Sequence, residues 1–259
     1  MKKSSLTVVG TGIKFLSQMS LEARVYIEKS DKVLYLVNDP ALKQWITTAN
    51  HNSESLDHLY FRHPQRIDSY NAITNYILEN LTEPNHICVA LYGHPTVFSK
   101  PALDAVIEAR KRGYDAKILP GISSEDCLFA DLLIDPGTSG CQSFESTDFI
   151  LHRRKFDPNS HLILWQPDVI GVQGHENLNS KIGLKILREY LSNFYSSDHD
   201  IIVYEAAQYP NLLPSIVNIK LNDLEDAPLS PICTLYIKPA GRSNCDNECA
   251  MRLGININI

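Results

Sequence analysis

HICVALYGHPTVFSK, residues 86–100, is the stretch that decides the expected fold. Its apolar run stops abruptly at Tyr92, Gly93, His94 and Pro95, as is typical of a buried strand that ends in a loop. Glycine lets a backbone approach a ligand closely, proline fixes the loop, and the tyrosine and histidine put polar groups at the strand's carboxyl end. The stretch therefore predicts a ligand-binding loop or, alternatively, a turn capped by a core tyrosine.

Similar apolar runs alternate with helical periodicity on both sides of this stretch. The predicted strands are LTVVGTG (6–12), KVLYLV (32–37), HICVALY (86–92) and DAKILP (115–120), and the predicted helices are SLEARVYIEKSD (20–31), PALKQWITTAN (40–50), RIDSYNAITNYILENL (66–81) and SKPALDAVIEARKRGY (99–114). Strands joined by helices predict a mostly parallel sheet covered on both faces, with binding sites at the carboxyl ends of its strands. Gly10, Tyr92 and Pro120 lie at such ends.

The pattern changes after residue 120 and becomes richer in strands. A helix SSEDCLFADLLID (123–135) is followed by strand candidates STDFILHR (146–153), HLILWQ (161–166), DIIVYEA (200–206), SIVNIKL (215–221) and ICTLYIK (232–238), with the helix KIGLKILREYLSNFY (181–195) among them. Proline and glycine punctuate LPGISS, residues 119–124. We expect α/β domains over residues 1–120 and 121–240, and a tail over 241–259.

Composition argues against several classes of partner. The chain has 259 residues, of which 44% are hydrophobic, and a formal net charge of −6. The broad positive field that nonspecific binding to nucleic acid or anionic membranes requires is absent. The amino-terminal apolar run is too short for a signal peptide and no other run approaches a membrane span, so we expect a cytoplasmic protein.

The cysteines do not predict a disulfide framework or a metal centre. They are scattered at positions 88, 127, 141, 233, 245 and 249. Cys245 and Cys249 lack a nearby histidine or second cysteine pair at zinc-site spacing. We expect no metal site.

Three further motifs are ambiguous by themselves. GTGIKF, residues 10–15, resembles a phosphate-binding turn but lacks the third glycine of a dinucleotide fingerprint, and a tight strand-to-helix turn is the favoured explanation. Ser123 and Ser124 are candidates to cap the following helix. Arg66 and Tyr70 are four residues apart on one helical face, where a guanidinium lowers a tyrosine pKa from about 10, although an exposed surface pair has the same spacing.

Taken together, the motifs resemble the tetrapyrrole methylase superfamily, the class III S-adenosylmethionine-dependent methyltransferases. The resemblance rests on VVGTG, DKVLYLV, ALYGHPTVF, LPGISSEDCLFADLLIDPG, LILWQ, VYEA and ICTLYIKP, which occur in the family's order over nearly the whole chain. More narrowly, the chain resembles the borosin peptide backbone α-N-methyltransferases, which carry YGHP followed by VF, the long PGxSxExCxxADLxxDP stretch and a preceding RxxxY pair. The resemblance implies an α/β, two-domain tetrapyrrole methylase-like fold with the cofactor in the interdomain cleft.

The resemblance also implies the site residues. The cofactor S-adenosylmethionine, and its product S-adenosylhomocysteine, would contact Tyr92, His94, Val97, Ser124, Gln166, Ala206, Cys233 and Thr234. Cys233 departs from the serine common in the family, a change that should weaken a hydrogen bond. Arg66, Tyr70 and Tyr92 match the catalytic positions, and Tyr60 matches a substrate-orienting tyrosine across a loop of variable length.

The implied reaction needs an activated amide, because the amide nitrogen lone pair is delocalised into the carbonyl. We hypothesise that Arg66 lowers the pKa of Tyr70 so that its phenolate accepts the amide proton. Tyr92 would hydrogen-bond the peptide and align nitrogen, methyl carbon and sulfur.

Fused borosin enzymes carry their substrate as a carboxyl-terminal extension, whereas this sequence ends with AMRLGININI soon after its last predicted strand. We therefore expect the split, bacterial type, a homodimer acting on a separate precursor peptide, in a complex of two enzymes and two precursors. A tetrapyrrole C-methyltransferase is an alternative, but the family's GxGPGxxxxLT loop reads GTGIKFLSQMS here and His94 replaces an acidic residue. An RNA ribose methyltransferase fits the acidic charge poorly. A catalytically silent peptide-binding module is the remaining alternative.

Overall fold

A computed structural model of the chain describes residues 4–82, 85–172, 174 and 181–256. The chain divides into two compact units. The first comprises Met1–Ile134, Val172–Leu178 and Glu205–Ser215, and the second comprises Asp135–Gly171, Asn179–Tyr204 and Ile216–Ile259. Within the described residues, no helix is both long and apolar enough to cross a membrane.

The sheet of the first unit is parallel in every strand pairing found among the described residues. Its strands are β1 (Ser5–Gly10), β2 (Lys32–Leu36), β3 (Ser53–Ser55), β4 (His86–Leu91) and β5 (Asp115–Ile118), in the order β3-β2-β4-β1-β5. The predicted parallel sheet is confirmed. The short edge strand β3 was not predicted, because SES has no apolar run to indicate it.

Helices cover both faces of this sheet. They are α1 (Leu21–Lys29), α2 (Pro40–Ala49), α3 (Asp57–Tyr60), α4 (Arg66–Glu79), α5 (Lys100–Lys111) and α6 (Ser124–Asp131). One core cluster joins inward residues of the strands, such as Val8, to residues of α4 and α5, such as Ile73. The other joins the alternate strand residues, such as Val9, to α1 and α2. Alternation of side chains along each strand produces the two cores.

The first unit extends beyond the expected boundary at residue 120. Leu119 N–H donates to the carbonyl of Val8 at 2.9 Å, which continues the sheet pairing past β5. Further on, the Gln18 Nε2 donates to Cys127 Sγ at 3.3 Å and so ties α6 to the loop after β1. The second contact ties residues around Cys127 to the first unit, and the observed division falls at Ile134.

The second unit contains a mixed sheet in the order β6-β7-β10-β8-β9. Its strands are β6 (Cys141–Glu145), β7 (His161–Trp165), β8 (Asp200–Glu205), β9 (Ser215–Lys220) and β10 (Thr234–Ile237). β6 and β7 are parallel, and β10 is antiparallel to both β7 and β8. The helices are α7 (Pro136–Ser139), α8 (Ser146–Leu151), α9 (Lys181–Leu191) and α10 (Asn247–Arg252).

The strand predicted over residues 146–153 is wrong, because this segment begins with the helix α8. The Glu145 carboxylate accepts from the backbone N–H groups of Thr147 and Asp148 at 2.9 and 2.7 Å and caps the helix. Phe149 and Ile150 are both buried in the core of the unit, which adjacent residues of a strand with one exposed face would not be. The strand lies just before the helix, as β6.

Candidate functional site

Three loops meet at the carboxyl edge of the first sheet. Gly93 follows β4 with a φ of +70°, and it exchanges backbone hydrogen bonds with Gly12, at 3.0 and 3.3 Å. A Cβ on Gly10 would lie 2.2 Å from the Gly93 carbonyl oxygen and 2.8 Å from Pro95 Cδ. Gly121 packs against the same carbonyl. The glycines of the YGHP stretch and its neighbours therefore hold the loops against one another.

Tyr92 begins the loop after β4 and is half-buried. Its backbone N–H donates to the carbonyl of Leu36 at 3.3 Å, at the end of β2. Burial raises the pKa of Tyr92 to about 12, and the charges of Cys127, Glu205 and Asp39 add to the rise. The phenol therefore stays protonated near neutral pH and can donate a hydrogen bond.

His94 participates in the turn that follows. Its Nδ1 accepts from the backbone N–H of Thr96 at 3.2 Å and lies 3.0 Å from the hydroxyl of the same residue. A neutral His94 then carries its proton on Nε2, so Nε2 can donate to a ligand. Val97, two residues after Pro95, is 38% exposed.

Two other predicted cofactor residues also belong to the first unit. Ser124 begins α6, but the cap of that helix is Ser123, whose hydroxyl accepts from Asp126 N–H in a capping box. The Ser124 side chain is therefore not required as the cap. Ala206 is buried in the Glu205–Ser215 segment.

The remaining predicted cofactor residues lie at one edge of the second sheet. Gln166 follows β7 with a φ of +56°, a left-handed conformation that is uncommon for a residue with a side chain. Trp165, the residue before it, pairs with Thr234 at the start of β10. Cys233 and Thr234 are buried. Register therefore brings Gln166, Cys233 and Thr234 to the same edge.

Tyr60, Arg66 and Tyr70 form a second group in the first unit. Arg66 is the first residue of α4, and Tyr70 is one turn later on the same face. The ring centroids of Tyr60 and Tyr70 are 6.3 Å apart at an interplanar angle of 35°. The Arg66 Nε is buried and has no hydrogen-bond partner among the described residues. Gln65, the residue before it, forms a backbone bridge with Gly174.

The pKa of Tyr70 moves in the direction opposite to the expected one. Burial raises it above its usual value of 10.0, and Tyr60 adds to the rise through its charge and a side-chain hydrogen bond. The Arg66 guanidinium lowers the Tyr70 pKa, as expected, but does not outweigh these two causes. Tyr70 is therefore a phenol at neutral pH.

The predicted catalytic residues fall into two groups. Tyr60 packs against the core cluster shared with α4 and α5, whereas Tyr92 packs against the one shared with α1 and α2. Arg66 and Tyr70 accompany Tyr60. No cluster of metal-ligating side chains is found within the described part of the chain.

Comparison with known proteins identifies the family. Residues 5–217 match the tetrapyrrole (corrin/porphyrin) methylases. The chain belongs to this family. A solved tetrapyrrole methylase, the uroporphyrin-III-C-methyltransferase of Thermus thermophilus, superposes with a TM-score of 0.65 at 16% identity, covering 93% of this chain and 94% of that one. The fold is thus tetrapyrrole methylase-like, as expected.

Curated relatives give higher sequence identity. A methyltransferase and ribosomally synthesized cyclic peptide dendrothelin A precursor of Dendrothele bispora is 37% identical over 256 residues, 95% of this chain and 60% of that protein. A methyltransferase and ribosomally synthesized type III borosin cyclic peptide precursor of Anomoporia bombycina is 36% identical over 264 residues, 98% of this chain and 30% of that protein. The chain spans less than two thirds of each relative's length.

Sequence reasoning missed several residues around Tyr92. Asp39, which caps α2, and Glu205 act on its pKa, and Tyr209 donates a hydrogen bond to Asp39. Asn38 and Asp39 follow the predicted strand at β2, and Gln208 and Tyr209 follow the one at β8; polar residues after predicted strands are the signal that could have pointed to Asp39 and Tyr209. Their pairing could not be deduced, because Asp39 and Tyr209 are 170 residues apart in the chain.

Proposed function

We propose that this chain is an S-adenosylmethionine-dependent methyltransferase that acts on backbone amide nitrogens of an acceptor peptide. Family membership and the relatives that combine a methyltransferase with a cyclic peptide precursor support the proposal. The observation that carries it is the group of Tyr60, Arg66 and Tyr70, with its buried, unpartnered Arg66 Nε. A guanidinium beside phenols suits a peptide amide, whose oxygen accepts hydrogen bonds and whose nitrogen must lose a proton.

Each member of this group has a proposed role. Arg66 Nε donates to the peptide oxygen and stabilises the negative charge that develops there as the amide loses its proton. Tyr70 accepts that proton through the small fraction of phenolate that its raised pKa leaves at neutral pH. Tyr60 orients the peptide through its ring and through its contact with Tyr70. Tyr92, kept protonated by its raised pKa, donates a hydrogen bond that aligns the reacting atoms.

The residues around Tyr92 fit the proposed cofactor. Asp39 and Glu205 are carboxylates close enough to raise the Tyr92 pKa, and negative charge of this kind favours a positively charged sulfonium group. When bound, S-adenosylmethionine supplies a methyl group on such a sulfur and leaves as S-adenosylhomocysteine. The residues proposed to hold it are Tyr92, His94, Val97, Ser124, Gln166, Ala206, Cys233 and Thr234. Their placement around a cleft between two domains stays a prediction.

The proposed acceptor is a separate precursor peptide, bound by a cytoplasmic homodimer in a complex of two enzymes and two precursors. The relatives favour a different arrangement, since their names combine enzyme and precursor in one protein. Mass spectrometry separates the two. Methylation of an added peptide supports the separate arrangement, whereas methyl groups on the enzyme's own chain support the fused one.

The first prediction tests the activity and the role of Tyr70 together. The chain is co-expressed with a small peptide encoded beside its gene, and both products are measured by intact and tandem mass spectrometry. We expect increments of one methyl group on backbone amides with the wild type, and none with Tyr70→Phe, while cofactor affinity stays close to wild type. Tyr76→Phe is the matched control on the same helix, because its hydroxyl donates instead to Glu54, at 2.6 Å.

Methylation by Tyr70→Phe at the wild-type rate would contradict the role of Tyr70. An unmodified peptide together with an unmodified enzyme, when the wild type binds the cofactor, would contradict the peptide substrate. A tetrapyrrole acceptor is the second candidate, because the family includes such enzymes and a solved uroporphyrin-III-C-methyltransferase shares the fold. Uroporphyrinogen III would then be the next compound to assay.

A further inference from the structure

The Glu205–Ser215 segment belongs to the first unit, although the residues on either side of it belong to the second. The segment contains Ala206, a proposed cofactor residue, and Tyr209. The segment has eleven residues. Fixing their backbone in one conformation costs conformational entropy, so specific contacts with the first unit must offset that cost.

Two residues hold this segment: Phe15, in the loop after β1, and Asp39, the N-cap of α2. Phe15 N–H donates to the carbonyl of Gln208 at 2.8 Å. The rings of Phe15 and Tyr209 lie 6.1 Å apart, at an angle of 49°. The Tyr209 hydroxyl donates a hydrogen bond to the Oδ2 of Asp39.

Asp39 is itself fixed. Its Oδ1 accepts from Leu42 N–H at 2.7 Å and caps α2. Asp39 comes three residues after Leu36, whose carbonyl accepts from Tyr92 N–H. A continuous set of hydrogen bonds and short chain segments thus runs from Tyr92, through β2 and Asp39, to Tyr209 and the Glu205–Ser215 segment.

We propose that Tyr209 is a positioning residue for the cofactor: its hydrogen bond to Asp39 holds the Glu205–Ser215 segment, and with it Ala206, in the conformation that binds S-adenosylmethionine. This role rests on the proposed function. Tyr209 contacts no reacting atom, so its loss should weaken cofactor binding and leave the rate at saturating cofactor unchanged. The ring contact with Phe15 alone would orient the segment less tightly than the ring and hydroxyl together.

The test is isothermal titration of the whole chain with S-adenosylmethionine and with S-adenosylhomocysteine. Tyr209→Phe keeps the ring and removes the hydroxyl, and we expect Kd to rise about tenfold for both ligands. Tyr26→Phe is the control, since the Tyr26 hydroxyl pairs with Lys117, which lies in β5 and not in the loops at its carboxyl end. Its Kd should stay within twofold of wild type.

A double-mutant cycle separates positioning from general destabilisation. Asp39→Asn keeps an N-cap oxygen for α2 and removes the charge. If Tyr209 acts through Asp39, adding Tyr209→Phe to Asp39→Asn should raise Kd by clearly less than it does in the wild type. Thermal unfolding should give similar melting temperatures for Tyr209→Phe and Tyr26→Phe.

The outcomes are distinguishable. A tenfold rise in Kd for Tyr209→Phe, with unchanged kcat at saturating cofactor and non-additivity with Asp39→Asn, supports the role. A wild type that binds the cofactor alongside a Tyr209→Phe variant with the same Kd overturns the role of Tyr209 and leaves the proposed function intact. A wild type that binds neither ligand overturns both.

Discussion

At the scale of single residues, the proposed chemistry depends on opposing influences on Tyr70. Arg66 favours the phenolate, while burial and Tyr60 favour the phenol and prevail. The proposed base is therefore protonated in most molecules at neutral pH. A neutral Tyr70 also avoids placing a half-buried phenolate beside Tyr60, whose free-energy cost the Arg66 guanidinium offsets only in part.

The pH dependence of methylation tests this balance. Because the pKa of Tyr70 is raised and the base must be deprotonated, kcat should rise about tenfold per pH unit and show no plateau below about pH 10. Arg66→Met removes the lowering influence, so its profile should lie at still higher pH. Tyr60→Phe removes a raising influence, so its profile should move to lower pH.

Single-turnover rates are measured upward from about pH 7 until each profile levels off, because only the plateau separates a shift along the pH axis from a change in the maximal rate. The positions of the profiles matter rather than their heights, since both substitutions also remove contacts to the substrate. Shifts of Arg66→Met and Tyr60→Phe in the same direction would contradict the assignment of Tyr70 as the base.

At the scale of elements, the carboxyl edge of the first sheet is built by packing of loop on loop. The loops after β1, β4 and β5 touch at Gly10, Gly93 and Gly121. There is no room for a side chain at Gly10, because its Cβ would overlap the Gly93 carbonyl oxygen. The YGHP loop is thus positioned by the GTG and PGI loops, which explains why three glycine-bearing motifs recur at strand ends in the sequence.

Gly10→Ala should disrupt this packing. The new Cβ would lie 2.2 Å from a backbone oxygen, which cannot rotate away, so the loops must move. We expect a loss of about 1–3 kcal/mol in the free energy of unfolding, measured by urea denaturation, together with weaker cofactor binding. Gly113→Ala is the control, because Gly113 has a φ of +83° but no atom lies within 4 Å of the place that its Cβ would occupy.

The control separates backbone strain from steric conflict. Gly113→Ala should cost about 1 kcal/mol through its left-handed conformation and leave cofactor affinity unchanged. Equal effects of the two substitutions on stability and on affinity would count against the loop contacts as the device that positions the YGHP loop.

At the scale of the whole molecule, the sequence predicts the first unit better than the second. The sequence predicts β1, β2, β4 and β5 correctly, because each of these strands is a long apolar run between helical patterns and both signals are local. The strand predicted over residues 146–153 is wrong for a local reason. Glu145 is a weak N-cap signal for a helix, and the adjacent apolar residues Phe149 and Ile150 resemble the buried part of a strand. The boundary at Ile134 depends on contacts such as Gln18 to Cys127, which span 109 positions in the chain.

The candidate site shows the same limit. The resemblance named Arg66, Tyr70 and Tyr60, and the fold brings these residues together. The net direction of the Tyr70 pKa could not be predicted from the RxxxY spacing, because burial and the partner from α3 are tertiary features. The role proposed for Tyr209 could not be predicted from the sequence either, because its partner Asp39 comes from a distant part of the chain.

Cofactor binding should stabilise the loops at the carboxyl ends of the strands. A ligand that binds the native state slows hydrogen exchange of the backbone that it contacts or orders. With S-adenosylhomocysteine added, we expect slower exchange at residues 10–13, 92–97, 121–124 and 205–209, the loops at the carboxyl ends of β1, β4, β5 and β8. Mass spectrometry of peptic fragments resolves these segments.

The amino ends of β2 and β5, at the opposite edge of the first sheet, provide an internal control. Residues 26–30 and 112–116, which precede β2 or reach into the start of β5, should exchange at unchanged rates. Protection confined to the amino-terminal ends would place the ligand on the opposite edge of the first sheet and contradict the proposed site. Protection of residues 205–209 that is lost in Tyr209→Phe, while residues 92–97 stay protected, would connect the Glu205–Ser215 segment to the cofactor through Tyr209 specifically.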